Sequence, residues 1–245
     1  MTYLIGTAGW SLPREEQPHF PAEGTHLQRY AAVLPAVEIN SSFYRPHRAS
    51  TYTRWAASVP PAFRFAVKIP RAITHERKLA DAGAALDAFL PGPTALGDAL
   101  GCLLVQLPPS LALDERRAAR FLRDLRDRYD GPAAIEPRHP TWFTPDADAM
   151  LRDARVARVA ADPPPAPEDG APGGFAGLAY YRLHGAPRIY YSNYDDAYLD
   201  ALAERLQRVR RLRAHAGDVW CVFDNTALGA AWANARALLA RLHER

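Results

Sequence analysis

The chain has 245 residues, of which 48% are hydrophobic, and its formal net charge is +3 at pH 7. The length fits one large barrel domain, and the slight positive charge favours anionic partners without indicating nucleic acid. No apolar stretch is long enough to span a membrane and the N-terminal residues lack a signal-peptide pattern, so we expect a cytoplasmic protein with no membrane partner.

Eight short, apolar and β-prone runs follow one another along the chain, and each ends on a polar or charged residue. They lie at residues 4–7, 36–40, 65–68, 102–106, 133–136, 156–162, 180–184 and 220–224. Helical patterns separate most of them, and strands that alternate with helices are typical of α/β proteins with a parallel sheet. We therefore predict a single (β/α)8 TIM-barrel domain over residues 1–245.

The connections between these runs predict the outer layer of the barrel. Helices are expected at residues 25–34, 81–90, 94–100, 114–129, 146–153, 196–215 and 227–242, and a further helix is capped by Ser50. Pro91, Gly92 and Pro93 are expected to break the helical stretch in which they lie. Residues 163–174 are too rich in proline and glycine for a helix, so we predict a loop between the sixth and seventh strands. This loop should border the barrel mouth and be more mobile than the helices.

Lys68 ends the third run and is one of only two lysines in a chain with 30 lysine and arginine residues. Lysine differs from arginine because its amine can shift its pKa, act as a base or form an imine. The other lysine, Lys78, lies in a charged stretch and is expected to face solvent. Two interpretations of Lys68 remain open: a functional amine, or a structural ion pair with Glu38 or Glu136.

Glu38 and Asn40 share one face of the second predicted strand, which points into the barrel if the strand alternates regularly. A buried carboxylate requires a cation, and Lys68 on the neighbouring strand could supply it. Glu38 is thus either a catalytic group or one half of a lumen ion pair.

Three further strand ends carry candidate ligand contacts. Glu136 is followed by Arg138, His139 and Trp142, a combination typical of a ligand pocket, although Arg138 could instead pair with Asp162 and Trp142 could simply cover the barrel end. Arg182 and His184 alternate with an apolar residue on the seventh strand and are both expected to point inward. At the eighth strand end, Asp224 either binds a cation or caps the last helix.

Seven ordered motifs resemble the YecE-like family, also known as domain of unknown function 72. They are Gly6–Trp10, Val37–Arg45, Val67-Lys68 with Thr74-His75, Leu104–Ser110, Glu136–His139, Tyr181–Gly185, and Asn225 with Gly229 and Asn234. The resemblance spans nearly the whole chain and implies a TIM barrel, but it leaves the activity open because none is established for the family. The chain departs from the family at its last strand, where Phe223-Asp224-Asn225 replaces the more usual Phe-Asn-Asn.

Two classes of function follow from these observations. One is an enzyme, expected to be a hydrolase, lyase or isomerase, that acts by acid–base chemistry on a small polar and anionic ligand. The other is a nucleic-acid-binding or nucleic-acid-processing protein, whose rim aromatics and arginines would contact bases and phosphates. A metal-dependent form of the enzyme would use Glu136, Asp162, His184 and Asp224. The oligomeric state is left open.

The predicted site is a set of polar residues at the strand ends and on the rim. We expect no cofactor and no bound metal, because no clustered Cys/His pattern is present. The predicted catalytic residues are Glu38, Lys68, Glu136 and His184, and the predicted ligand-binding residues are Asn40, Tyr44, Gln106, Arg138, His139, Trp142, Asp162, Arg182, Tyr191, Asp224 and Asn225.

Overall fold

A computed structural model of the protein describes residues 2–165, 170–212 and 217–243. Within these residues, eight parallel strands form a ring in which the first strand pairs with both the second and the eighth. The predicted (β/α)8 barrel is therefore confirmed. The barrel strands are Tyr3–Ala8, Ala36–Ile39, Arg64–Lys68, Leu100–Gln106, Ala133–Glu136, the two-part sixth strand Val156–Arg158 and Ala160–Asp162, Ala179–Leu183 and Val219–Phe223.

The sixth barrel strand is interrupted at Val159, and its two parts close the ring. Val156–Arg158 pairs with the fifth strand, whereas Ala160–Asp162 pairs with the seventh. Between them, the Val159 amide donates to the carbonyl of Ile135 at 2.8 Å, so the backbone stays bonded through the break.

Helices and short helical turns cover the outside of this ring. They run over Gln17–His19, His26–Ala31, Ser41–Tyr44, Ala49–Ala57, Ala72–Glu76, Gly83–Phe89, Pro91–Thr94, Gly97–Ala99, Glu115–Arg126, Pro140–Trp142, Pro145–Asp153, Asp196–Leu212 and Ala230–His243. No helix among the described residues has the length and hydrophobicity needed to cross a bilayer.

Local sequence signals explain several helix boundaries. Thr25 and Gln28 form a reciprocal capping box at the first helix, and the Asp114 side chain accepts from the Arg117 amide at the start of Glu115–Arg126. The prediction that Ser50 caps a helix was wrong, because Ser50 lies inside Ala49–Ala57.

The helical stretch is interrupted before Pro91, as predicted, because Gly83–Phe89 ends there, but the residues Pro91, Gly92 and Pro93 are themselves helical. These residues form a helical turn of their own, Pro91–Thr94. Proline is tolerated at the first helical position because that amide has no partner within the helix.

Strand alternation divides the interior into two apolar layers. Val37, Val67 and Val105 point outward and pack beneath the helices. Ala66 and Leu104 point inward and belong to the apolar floor of the lumen. Because successive side chains alternate, residues two positions nearer the carboxyl ends face the lumen as well, and these are polar.

The connection between the sixth and seventh strands contains no helix in its described parts, residues 163–165 and 170–178. Its Gly173–Gly174 segment pairs in antiparallel fashion with Ala157 and Arg158. The middle of the predicted loop, residues 166–169, lies outside the described residues. The expected mobility of the loop stays a prediction.

Candidate active site at the barrel mouth

Arg182 lies at the centre of a buried charged cluster near the carboxyl ends of the strands. Its Nη2 atom is 2.7 Å from Glu38 Oε1 and 3.0 Å from Asp224 Oδ2, and its Nη1 atom is 3.0 Å from Glu136 Oε2. The hydroxyl of Tyr180 also donates to Glu38, at 2.9 Å. One guanidinium thereby connects carboxylates from the second, fifth and eighth strands across the lumen.

His184 bridges two of these carboxylates. Its Nε2 atom lies 2.7 Å from Glu136 Oε1, and its Nδ1 atom lies 3.0 Å from Asp224 Oδ2. Burial on its own lowers the pKa of His184, but the charge of Glu136 and the hydrogen bonds to both carboxylates outweigh burial, so its pKa lies above the usual value. Because both ring nitrogens face carboxylate acceptors, both must carry hydrogens, and we assign His184 as imidazolium.

The same contacts keep the carboxylates ionised. Burial raises the pKa of Glu136, but Arg182 and His184 more than compensate, so its pKa falls well below the usual range. Asp224 behaves in the same way: burial is outweighed by Arg182 and by the His184 hydrogen bond, and its pKa is lowered. Glu136, Asp224 and His184 are therefore charged at neutral pH.

The anions and cations of this cluster balance. Glu38, Glu136 and Asp224 supply three negative charges, and Arg182, Arg138 and imidazolium His184 supply three positive charges. A buried charge is tolerated only when it is paired and hydrogen-bonded. These groups satisfy that requirement through direct contacts with one another, and Lys68 adds only a charge effect that helps to lower the pKa of Asp224.

Lys68 ends the third strand and is 8% exposed. Among the described residues, no carboxylate lies within 4.0 Å of its Nζ atom, which instead sits 4.1 Å from the centroid of the Phe43 ring. Burial and the charge of Arg182 lower its pKa, Glu38 and other carboxylates partly offset them, and the result is a pKa of about 8. The expected ion pair between Lys68 and Glu38 is wrong, because Arg182 occupies that position.

Three residues link the cluster to the mouth. Arg138 donates from Nη1 to Glu136 Oε1 at 3.0 Å, and its side chain is 17% exposed. Gln106 Nε2 donates to Glu136 Oε2 at 3.1 Å. Tyr190 is 46% exposed, and its ring lies edge-on to His184 with 5.9 Å between the ring centroids.

Three predicted ligand-binding residues are engaged elsewhere. Asp162 accepts hydrogen bonds from the hydroxyls of Tyr194 at 2.9 Å and Tyr198 at 2.6 Å, which places its carboxylate between the barrel and the helix layer. Trp142 is 1% exposed and donates from Nε1 to the carbonyl of Leu111. Asn225 is fully buried and ties the loop before Tyr194 to the last helix through Ser192 and Asn234. Their predicted contact with a ligand stays a prediction, and the contacts that these residues make within the protein do not support it.

Four other predicted residues remain on or near the rim. Asn40 follows the second strand, with its Oδ1 atom buried and unbonded among the described residues. His139 contacts Thr141 through its Nδ1 atom, at 3.0 Å from the hydroxyl. Tyr44 is 75% exposed, and Tyr191 is 38% exposed and lies under the Arg188 guanidinium. None of these four contacts the charged cluster through a hydrogen bond or ion pair within the described residues.

Sequence reasoning missed Phe43, Tyr180 and Tyr190 as parts of the site. Tyr180 has the same strand parity as Arg182, so the alternation rule was enough to place it in the lumen. The positions of Phe43 and Tyr190 depend on how loops fold over the mouth; Tyr190, for example, has a positive φ of 70°. The sequence carried no comparable signal for Phe43, whereas Tyr190 lies in the tyrosine-rich segment Tyr190–Tyr194, whose position after the seventh strand indicates the rim.

The described residues contain no group of three or more His, Cys, Asp or Glu side chains arranged to hold a metal ion. The metal set considered above is not assembled, because Asp162 faces the helix layer and both nitrogens of His184 already contact carboxylates. Cys102 and Cys221 are free and fully buried, and burial raises the pKa of both thiols.

The ring of parallel strands, with polar residues at the carboxyl ends of the strands, defines a TIM-barrel protein. In this class the active sites lie at the carboxyl ends of the strands. A solved structure of D-psicose 3-epimerase from Clostridium cellulolyticum H10 has the same kind of fold. It matches with a TM-score of 0.56 and 10% identity, covering 100% of this chain and 99% of that one. At this identity, the likeness concerns the fold alone.

Residues 4–245 match the model of the family described as "Protein of unknown function DUF72", and the chain belongs to this family. Two solved DUF72 proteins, each with a TM-score of 0.81, have similar structures. The protein from Enterococcus faecalis V583 is 23% identical, covering 99% of this chain and 96% of that one. The protein from Thermotoga maritima MSB8 is 25% identical, covering 99% of this chain and 100% of that one.

Curated relatives match over a shorter stretch. UPF0759 protein YunF of Bacillus subtilis strain 168 is 30% identical over 148 residues, which cover 58% of this chain and 52% of YunF. UPF0759 protein YecE of Escherichia coli K12 is 29% identical over 140 residues, which cover 57% of this chain and 49% of YecE. The chain thus spans about half the length of the curated relatives it matches. The predicted resemblance to the YecE-like family is confirmed.

Proposed function

We propose that this protein is an enzyme that binds a small anionic compound in the barrel mouth and acts on it by acid–base chemistry. The observation that carries the proposal is the surplus charge of Lys68. The buried cluster is balanced without it, so the Lys68 ammonium adds one uncompensated positive charge at the mouth. A site with a surplus positive charge and restricted water access favours an anion.

Lys68 is the proton-transferring group in this proposal. A base or acid works best when its pKa lies near the operating pH, and the Lys68 pKa of about 8 meets that condition. Arg138 serves as the anion anchor, because one of its nitrogens holds Glu136 while its partial exposure leaves the rest of the guanidinium facing the mouth.

The other predicted catalytic residues have a different role. The polar atoms of these residues, Glu38, Glu136 and His184, form hydrogen bonds and ion pairs within the charged cluster. All three side chains are almost completely buried. They set the charge that surrounds Lys68 and hold Arg182 and Arg138 in place. We therefore assign them as positioning residues.

The alternative of nucleic-acid binding is less well supported. Of the rim aromatics that favoured it, Trp142 and Tyr194 are buried and cannot stack on bases. Several helix arginines are also paired with aspartates, as in the pair between Arg120 and Asp81 at 3.1 Å. A small anion would contact both Lys68 and Arg138, and we therefore favour it over nucleic acid as the ligand.

The test is a thermal-shift and calorimetric titration of the full chain with inorganic phosphate, glyoxylate and pyruvate. A ligand at about 100 times its Kd stabilises a protein by about 2.7 kcal/mol, which corresponds to a Tm increase of about 5–10 °C at this size. Lys68→Met removes the amine at similar length, and Lys78→Met is the matched control at an exposed lysine.

We expect at least one of these anions to bind the wild type and K78M equally, and to bind K68M at least about tenfold more weakly. Equal binding to K68M, or no binding of any of the three anions, would overturn the proposal. Single-stranded DNA that binds all three proteins alike would favour the nucleic-acid alternative.

A further inference from the structure

We infer that Lys68 forms a covalent imine with its substrate, and that the substrate class is a small aldehyde or ketone that also carries an anionic group. This inference rests on the proposed function, because it assumes that the substrate occupies the same mouth. It deepens the proposal by naming the functional group that reacts with Lys68, whose proton transfer to the substrate oxygen then becomes a step of imine formation.

The geometry supplies the first support. A lysine locked in a salt bridge keeps its proton and has no lone pair available for attack, whereas Lys68 has no carboxylate within 4.0 Å among the described residues. One side of its amine is shielded from water by the face of the Phe43 ring, a cation–π contact that also favours the ammonium form between turnovers. The Lys68 carbonyl lies 2.7 Å from the Ser42 hydroxyl, which fixes the backbone that carries the side chain.

The charge balance supplies the second support. The carboxylates nearest in the lumen are already paired with Arg182, Arg138 and His184, and they only partly offset the burial and the Arg182 charge that lower the Lys68 pKa. With a pKa of about 8, about one tenth of the amine is unprotonated at neutral pH. This fraction is about two orders of magnitude larger than for an ordinary exposed lysine, whose pKa is about 10.4.

The identity of the residue supplies the third support. A fixed positive charge alone could come from arginine, which this chain uses almost everywhere, with only Lys68 and Lys78 as lysines. Arginine cannot be deprotonated in proteins and cannot form an imine. Lys68 places an amine at a strand end in a chain that otherwise uses guanidinium groups. We interpret this choice as a need for a nucleophilic nitrogen at that position.

The covalent step balances without another reactant. The neutral Lys68 amine attacks the carbonyl carbon, a C–N bond forms, and proton transfer from nitrogen to oxygen yields a carbinolamine. The C–O bond then breaks, the oxygen leaves as water, and a C=N bond forms. Protonation of this imine restores the charge that the ammonium carried, so the charge of the site is unchanged, while the anionic group of the substrate meets Arg138. The iminium withdraws electrons from the adjacent carbon, which is the activation that lyases and isomerases of carbonyl compounds need.

The experiment is reductive trapping. The full chain is incubated with glyoxylate and sodium borohydride, and adducts are located by intact mass and peptide mapping. Reduction of an imine adds the mass of the carbonyl compound less one oxygen atom. Acetaldehyde serves as the uncharged control, and the exposed Lys78 is an internal control for non-specific alkylation.

We expect glyoxylate to modify Lys68 at least about tenfold faster than Lys78, acetaldehyde to show no such preference, and K68R to lose the adduct while K78R retains it. Glyoxylate that binds in a Lys68-dependent manner but is trapped no faster at Lys68 than at Lys78 would overturn this inference and leave the proposed function intact. A failure of all anions to bind would instead overturn the proposed function and the inference with it.

Discussion

Replacing Arg182 with methionine removes a guanidinium that faces three buried carboxylates, those of Glu38, Glu136 and Asp224. Arg182 is fully buried, so water cannot take its place. Removing one partner of a buried ion pair costs about 3–5 kcal/mol, because the remaining charge is left uncompensated. We therefore expect R182M to lose about 3–5 kcal/mol of unfolding free energy at neutral pH. At about 2–4 °C per kcal/mol for a chain of this size, its Tm should fall by about 6–20 °C.

Urea denaturation followed by circular dichroism measures this loss. The matched control is Arg128→Met, because Arg128 and Asp87 form a pair at the solvent-exposed surface, where removing one partner should change the unfolding free energy little. Arg182→Lys keeps the charge but not the forked contacts, and it should fall between wild type and R182M. This second variant keeps the prediction testable if R182M does not fold.

The pH dependence provides the refuting result. Without Arg182 the buried carboxylates have raised pKa values in the folded state, so the folded variant takes up protons as the pH falls from about 7 to about 5. The difference in unfolding free energy between wild type and R182M should therefore become smaller as the pH falls. A deficit no larger than that of R128M, or one that does not change with pH, would refute the reasoning about the cluster.

Two further predictions concern the wild-type cluster and a residue outside the mouth. Glu136 and Asp224 have lower pKa values in the folded state than in the unfolded state. The stability that they contribute is therefore present above about pH 4 and is lost as the pH falls through the folded-state values. Urea midpoints that do not change down to about pH 3 would contradict this prediction. Asp162→Asn weakens the hydrogen bonds from Tyr194 and Tyr198, so urea denaturation should show a loss of about 1–3 kcal/mol of unfolding free energy. We expect no change in anion affinity. Weaker anion binding to the folded variant would place Asp162 in the site.

Much of the site could be predicted from strand alternation alone. A period of two residues determines which side chains share a face, so Glu38, Lys68, Glu136 and Arg182 could all be assigned to the lumen once their strands were recognised. The barrel class then indicated which end of those strands to consider. The same rule also places the Tyr180 side chain in the lumen. We left Tyr180 out of the predicted site because we counted it as part of the apolar run of its strand.

The partners within the lumen could not be predicted in the same way. Glu38 and Arg182 are 144 positions apart in the chain, and their contact depends on the stagger of strands around the ring. Sequence proximity favoured Lys68 as the cation for Glu38, but the longer guanidinium reaches three carboxylates from the opposite wall.

Asp162 was misplaced because its strand carries little pattern. Ala160 and Ala161 are equally small and apolar, so the sequence offers no contrast between the two faces at the end of the sixth strand. In the structure Ala160 packs in the outer layer, and Asp162 follows the same parity toward the helices. Trp142 was misplaced because the turn Pro140–Trp142 folds its indole into the core, a tertiary preference that local sequence does not encode.

The measurement that most directly tests the account is an NMR titration of the two lysines. Protein labelled with carbon-13 at lysine should give one side-chain signal each for Lys68 and Lys78, assigned with K68R and K78R. We predict that Lys68 titrates with a pKa of about 8, below the ordinary lysine value of about 10.4, and that an anion which binds the mouth shifts the Lys68 signal and leaves the Lys78 signal in place. A Lys68 signal that titrates near about 10.4, or an anion-induced shift confined to Lys78, would contradict the assignment of Lys68 as the reactive group of this barrel.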